Sequence, residues 1–249
     1  MHSNTVANGL LSGAVAAIVA AVLHLMFLQP VLLRAEEYET GARVHSFAAA
    51  PAHDEAAGDH AATKPALEGD AAVPGRFDMA VDLSRDSQTA LFFLLTYAGF
   101  GLLLAAGVAV AGARGYVPTA GHAALWGAAG FAALSLVPSF GLAPEPPGLA
   151  AGELVLRQLW CITPATITAA TLAAIAFSPA RFLWGSLGCA SLLMLMFMVP
   201  HPIVLTGSVP PELAGVFATR SLGIAAVAWL ILAQGVLRTH RSATTRVPA

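Results

Sequence analysis

The fold is decided by the stretch NGLLSGAVAAIVAAVLHLMFLQPVLL, which covers residues 8–33. Its only ionisable side chain is that of His24. Because a hydrocarbon core about 30 Å thick needs roughly 20 apolar residues of helix, the stretch predicts a transmembrane helix. It is longer than the apolar region of a signal peptide, follows no basic segment and leads into Arg34 without a convincing cleavage site. We therefore expect the span to be retained.

The composition of the whole chain is that of a membrane protein. Of its 249 residues, 57% are hydrophobic and 10% are charged, and the mean hydropathy is +0.73. A soluble domain carries about 25% charged residues, so a water-soluble globular fold is excluded. The formal net charge of −2 provides no excess of basic residues to bind nucleic acid, and membrane lipid is the expected surrounding.

Further apolar runs predict five more spans, at residues 89–112, 122–140, 160–177, 182–200 and 216–237. The predicted fold class is therefore all-α: a polytopic integral membrane protein whose bundle of about six transmembrane helices forms one membrane domain, residues 1–249. A topology of five spans is the alternative, because one run contains Pro164 and the next follows it after a short turn.

Residues 34–88 form the one long loop, between helices one and two, and hold 11 of the 14 acidic residues. The composition of residues 48–74, rich in Ala, Asp, Glu, His and Pro, is typical of a loosely held segment. His45, His53 and His60 stand among carboxylates, a pattern that suits weak capture of divalent cations. The alternative is a solvated acidic linker in which the histidines are incidental.

The arginines of the short connections predict the orientation, because basic residues collect on the cytoplasmic side. If these arginines lie on the cytoplasmic side, both termini are cytoplasmic and the long loop is extracytoplasmic. The chain is then expected to be a multi-pass protein of the inner (plasma) membrane. The arginines concerned are Arg114, Arg181, Arg238, Arg241 and Arg246.

His24 is an ionisable residue inside a span, so it is expected to face another helix or a cavity rather than lipid. Small residues precede it at helical spacing and predict a close helix contact on the same face. As a functional group His24 is a metal ligand or proton site, and as a structural group it is a histidine hydrogen-bonded across a helix interface. The small residues are Gly9, Gly13, Ala17 and Ala20.

Two other regions offer candidate ligands. Met194, Met198 and His201 would share one helix face if the helix continued through Pro200, and thioether with imidazole suits a soft or borderline transition metal. The alternative for the methionines is packing.

The connection between helices three and four holds Glu145 between prolines. We expect Glu145 to pair with Arg157 and Trp160 to anchor at the membrane interface. As a functional element, the connection is a rigid lid or an entry vestibule. As a structural element, it is a capped connector between two helices.

The sequence carries no catalytic motif, whether for ATP binding, zinc peptidase chemistry, a nucleophile elbow or haem attachment, so we expect no enzyme and no permanently bound cofactor. Cys161 and Cys189 both lie in apolar runs and are expected to be small buried hydrophobes.

Three stretches together resemble the CbtA family of predicted cobalt transporter subunits. They are the opening span with His24 through residues 35–39, the run from Trp126 to Trp160, and residues 200–214. The chain departs from the family in having Cys161 where a second tryptophan is usual, and the family is often described with five spans.

The resemblance implies a cobalt permease component that acts beside a small one-span partner bearing histidines. Our hypothesis is uptake of a divalent transition metal, Co²⁺ above all, with His24, Glu145 and His201 binding the ion near the outer face. Ligands further inward are scarce, so the partner or a homo-oligomer would supply them. The alternative is a non-catalytic structural or accessory subunit of a larger membrane complex.

Overall fold

The computed structural model describes residues 2–43, 82–116, 118–149, 152–200 and 207–244. In these residues the apolar runs form helices, with no strand beyond one isolated bridge between Leu149 and Gly207. The predicted all-helical membrane fold is confirmed. The α-helices are α1 (His2–Leu23), α2 (Gln29–Glu39), α3 (Leu83–Ala113), α4 (Ala123–Phe131), α5 (Val137–Ser139), α6 (Leu154–Phe177), α7 (Arg181–Met196) and α8 (Pro211–Thr244).

Two spans are interrupted by a π-helical turn. His24–Leu28 joins α1 to α2, and Ala132–Leu136 joins α4 to α5. In both cases the N–H after the turn donates to the carbonyl of the first residue of the turn. A proline stands two residues beyond each turn, Pro30 and Pro138. Because proline lacks the N–H that an α-helix would use, the hydrogen-bond register shifts just before it.

The close contact predicted for the first span is present between α1 and α3. Gly9 and Gly13 of α1 meet Gly101 and Tyr97 of α3 so closely that backbone touches backbone. A β-carbon at Gly9 would lie 2.9 Å from the carbonyl oxygen of Gly101. Small residues let two helices approach in this way and gain packing contacts that lipid cannot provide.

Helix α8 is the centre of the bundle and packs against α1, α3 and α4. Its Trp229 is 1% exposed and lies against Gly127 and Gly130 of α4. The indole stacks on Phe100 of α3, with 5.0 Å between ring centroids, and its Nε1 donates to Ser135 Oγ at 3.3 Å. One large side chain of α8 therefore ties two other spans together.

Five described segments are long and apolar enough to cross a membrane: Thr5–Glu39, Leu83–Ala113, Ala120–Ser139, Leu154–Phe177 and Pro211–Thr239. The run expected at residues 182–200 forms α7 instead, which has 16 residues. A helix of that length rises about 24 Å, less than the roughly 30 Å of a hydrocarbon core. Helix α7 packs along α6, where Gly188 lies against Thr171.

The helix directions place both ends of the described chain at the same end of the bundle. Ser12 of α1 lies beside Gly235 of α8, and further along the first span Phe27 accepts a hydrogen bond from Arg220 of α8, so the two helices are antiparallel. We call this the termini end. At the opposite end, the loop end, Gly148 lies beside both Glu39 and Ser208. Since α6 descends to the termini end, the chain returns to the loop end between Arg181 and Gly207.

Candidate functional site

The two ends of the bundle differ in charge. Among the described residues, every acidic side chain lies in the segments that meet at the loop end, whereas Arg114, Arg181 and Arg238 lie at the termini end. Five arginines, Arg34, Arg43, Arg85, Arg157 and Arg220, lie in the same segments, so the described loop end carries a modest net negative charge, which raises the local concentration of cations. The acidic residues are Glu36, Glu37, Glu39, Asp82, Asp86, Glu145, Glu153 and Glu212.

His24 is the first residue of the π-helical turn in the first span, and it faces α3 as the sequence predicts. Its ring meets Phe93 edge-on, with 5.2 Å between ring centroids. Its Nδ1 atom is buried and has no hydrogen-bond partner. Buried polar atoms are usually paired, so an imidazole nitrogen without a partner is an unused donor or ligand position.

Asp86 lies on α3 two helical turns before Phe93, on the face that meets the first span. Its Oδ1 accepts a hydrogen bond from Gln29 Nε2 at 3.0 Å. Gln29 follows the π-helical turn, so the same distortion that presents His24 also holds the partner of Asp86. The histidine and the carboxylate are thus brought to one helix interface by the two halves of the first span.

The neighbouring carboxylate of Glu36 is held by an arginine. Arg85 Nη1 lies 3.2 Å from Glu36 Oε2 and 3.4 Å from Oε1. This ion pair joins α2 to the first turn of α3 at the loop end. Arg85 neutralises Glu36, whereas the described partner of Asp86 is the neutral amide of Gln29.

Glu145 pairs with Arg157, as the sequence predicts. Arg157 Nη2 lies 3.2 Å from Glu145 Oε2, and the two side chains are 31% and 35% exposed. The ion pair links the connection that follows α5 to the first turn of α6. Glu145 therefore has a cation beside it already, which lowers its capacity to bind a metal ion.

The helix needed for the methionine and histidine face does not continue. Helix α7 ends at Met196, and Met198 lies in the following turn with 73% of its surface exposed. The spacing of Met194, Met198 and His201 is therefore not a helical face. His201 lies outside the described residues, as do His45, His53 and His60.

Within the described ranges, no three side chains of His, Cys, Asp or Glu come close enough together to hold a metal ion. A closed metal site of three or four ligands is thus not assembled from these residues alone.

Two expectations about packing are wrong. Trp160 is 4% exposed rather than interfacial: its Nε1 donates to the carbonyl oxygen of Pro138 at 3.0 Å, and its ring lies on Gly141. Cys161 and Cys189 are exposed on the surface of the bundle rather than buried. Cys161 lies on the membrane-spanning helix α6, where the exposed surface faces lipid and the thiol acts as a small hydrophobe.

Asp86 and Gln29 are not among the residues that the sequence predicts for the site. Asp86 falls within the predicted loop of residues 34–88, just before an apolar run, but lies in the first turn of α3. A signal was present: Asp82 precedes the helix and its carboxylate accepts the N–H groups of Ser84 and Arg85, as an N-cap does. This cap places Asp86 inside the helix, on a face shared with Phe93.

The described residues define a polytopic helical membrane protein with one acidic end and a half-buried imidazole in its first span. The family is settled by comparison: a model described as "Probable cobalt transporter subunit (CbtA)" matches residues 3–237. The chain belongs to the CbtA family, and is a membrane component of cobalt transport. No curated protein and no solved structure matches the chain.

Proposed function

We propose that the chain is the membrane-embedded permease component of an uptake system for Co²⁺, without enzymatic activity of its own. In this proposal it lies in the inner (plasma) membrane with both termini cytoplasmic and the loop end outside. The orientation is supported by the arginines of the termini end, because short basic connections stay in the cytoplasm. Family membership supports cobalt as the transported ion.

The observation that carries the proposal is the buried Nδ1 atom of His24, which has no hydrogen-bond partner, at the helix interface that also holds Asp86 through Gln29. Imidazole is a good ligand for borderline divalent metals, and a carboxylate offsets part of the charge of the ion. We propose that His24 supplies the first nitrogen ligand and that Asp86 stabilises the ion electrostatically. Such a site is weak, and a transport site must release its ion.

The remaining ligands come from outside the described residues in this proposal. His201 lies in the segment that connects α7 to Gly207 at the loop end. We propose His201 as a second ligand because of its position in the sequence. Glu145 and Met198 would bind the ion more weakly on its way to the site. His45, His53 and His60 of the long loop would capture the ion first, and a small one-span partner subunit bearing histidines or a second copy would complete the path.

The test is uptake of radioactive cobalt into liposomes containing the purified full-length chain, with nickel and copper as competitors. The proposal predicts saturable uptake that is lost in His24→Ala, measured for the chain alone and together with its partner subunit. Deletion of residues 48–74 should raise the cobalt concentration needed for half-maximal uptake and leave the maximal rate in place, because the deletion removes capture and not the path.

A structural or accessory role is the second candidate, favoured by one observation. The polar residues of the loop end largely satisfy one another, as Glu36 with Arg85 and Glu145 with Arg157. Under this hypothesis the deletion of residues 48–74 changes nothing, and folded chain in liposomes takes up no cobalt until another subunit is added.

A further inference from the structure

An open groove of about 470 Å³ lies on the lipid-facing surface towards the termini end, far from His24. Its floor is one face of α8, where lining residues recur at helical spacing from Leu230 to Arg238. Its walls are Val15 of α1 and Ala124 of α4, the two helices that flank α8. The other lining residues are Ile231, Gln234 and Gly235.

The groove is apolar along its length and polar at one end. Val15 and Leu230 are about half exposed, which places apolar side chains where lipid chains lie. From Leu230 to Arg238 the helix rises about 12 Å. The groove therefore runs from the interior of the bilayer to the region of the headgroups.

Arg238 stands at the headgroup end of the groove and is oriented by Gln234. With the amide oxygen of Gln234 turned towards the guanidinium, Nε and Nη2 of Arg238 donate to it at 3.2 Å and 2.9 Å. A guanidinium has five N–H donors in a planar fork that suits phosphate. One turn of α8 thus fixes a cation where a phosphate would lie.

We propose that this groove binds an anionic phospholipid, with one acyl chain along Leu230 and Val15 and the phosphate at Arg238. Charge complementarity supports the choice of an anionic lipid, because the headgroup end of the groove is lined by the guanidinium of Arg238. Basic pockets between transmembrane helices bind acidic headgroups for the same reason. The site is independent of the transported metal.

The experiment is native mass spectrometry of the full-length protein in a neutral detergent, titrated with phosphatidylglycerol or with phosphatidylcholine of the same acyl chains. The wild-type protein is expected to retain phosphatidylglycerol with about fivefold preference, the effect of one well-placed arginine. Arg238→Gln should abolish the preference. Ala124→Phe should reduce retention of both lipids, because residue 124 is exposed on the groove wall and its larger side chain fills the space.

Arg181→Gln is the matched control, since Arg181 lies at the same end over the ring of Phe182 and does not line the groove. It should keep the preference. Equal retention of the two lipids by the wild-type protein, or an equal loss in Arg181→Gln, would overturn the proposal. Glycerol phosphate should not compete, and competition at millimolar concentration would show a headgroup site without the acyl groove. If Arg238→Gln does not fold, the proposal is tested by the lipid preference of the wild-type protein and by the retention of lipid in Ala124→Phe. Either an absent preference or unchanged retention would overturn it.

Discussion

Arg220 of α8 donates a hydrogen bond from Nη1 to the backbone carbonyl oxygen of Phe27, at 2.7 Å, inside the π-helical turn that begins at His24. The turn departs from α-helical register because Pro30 follows it, and such turns are stabilised by partners from neighbouring helices. The central helix of the bundle thus secures the segment that presents the imidazole.

Replacement of Arg220 by alanine is expected to lower the free energy of unfolding by about 1.5 kcal/mol, the lower end for a hydrogen bond from a charged donor. Arg220→Lys should recover part of the loss, because an ammonium can donate to the same carbonyl. Thermal unfolding in detergent measures both. Arg181→Ala is the control at the opposite end, and an equal loss there would mean that the contact with Phe27 contributes nothing specific.

Gly13→Ala should destabilise the protein by about 1–3 kcal/mol, the usual cost of overpacking. The added methyl group would lie 2.9 Å from Ala98 Cα and closer still to the carbonyl oxygen of Tyr97. Gly99→Ala is the matched control on α3, because nothing lies within 4 Å of a β-carbon there. Similar unfolding temperatures for the two variants would refute the close α1–α3 contact.

Trp160→Phe should cost about 1–3 kcal/mol, because the smaller ring leaves space beside Gly141 and the indole no longer donates to the carbonyl of Pro138, which keeps only its bonds from backbone N–H groups. Trp184→Phe on α7 removes an indole that is 46% exposed, and should change stability by less than about 0.5 kcal/mol. Chemical unfolding followed by circular dichroism separates the two. If Trp160 were an interfacial anchor, its replacement would be as mild as that of Trp184.

Asp86→Asn should weaken cobalt binding about fivefold, which corresponds to roughly 1 kcal/mol between two charges in a well-solvated setting. The amide oxygen of asparagine can still accept from Gln29, so the unfolding temperature should stay near that of the wild type. Glu153→Gln at the same end is the control, because Glu153 stands at the start of α6, away from the α1–α3 interface. Equal binding by all three proteins would remove Asp86 from the site.

The fold followed largely from the sequence, because transmembrane helices are encoded by length and hydropathy alone. The contact face of α1 was predictable from Gly9 and Gly13, and the direction of His24 from its place on that face. The length of α7 was not, since an apolar run does not reveal that its helix ends at Met196.

The candidate site was predicted only in part. The position of His24 in an apolar span predicts that it faces another helix, and the charges of Glu145 and Arg157 predict their ion pair. Nothing in the sequence pattern alone predicts that Asp86 and Gln29 meet. Their approach depends on the π-helical turn, which rotates the helix beyond it. Pro30 is a local signal for that distortion, and Pro138 likewise stands two residues after the second π-helical turn. A prediction that assumes ideal helical periodicity does not register either turn.

The most direct test of the central claim is equilibrium dialysis of radioactive cobalt against the purified full-length protein and its His24→Ala variant, with His122→Ala as the histidine control. His122 lies at the termini end, where its ring contacts Thr119. Loss of one ligand should weaken cobalt binding at least about tenfold in His24→Ala and leave the His122→Ala protein unchanged. Unaltered affinity in a folded His24→Ala protein would contradict the account and leave the imidazole a packing residue at the α1–α3 interface.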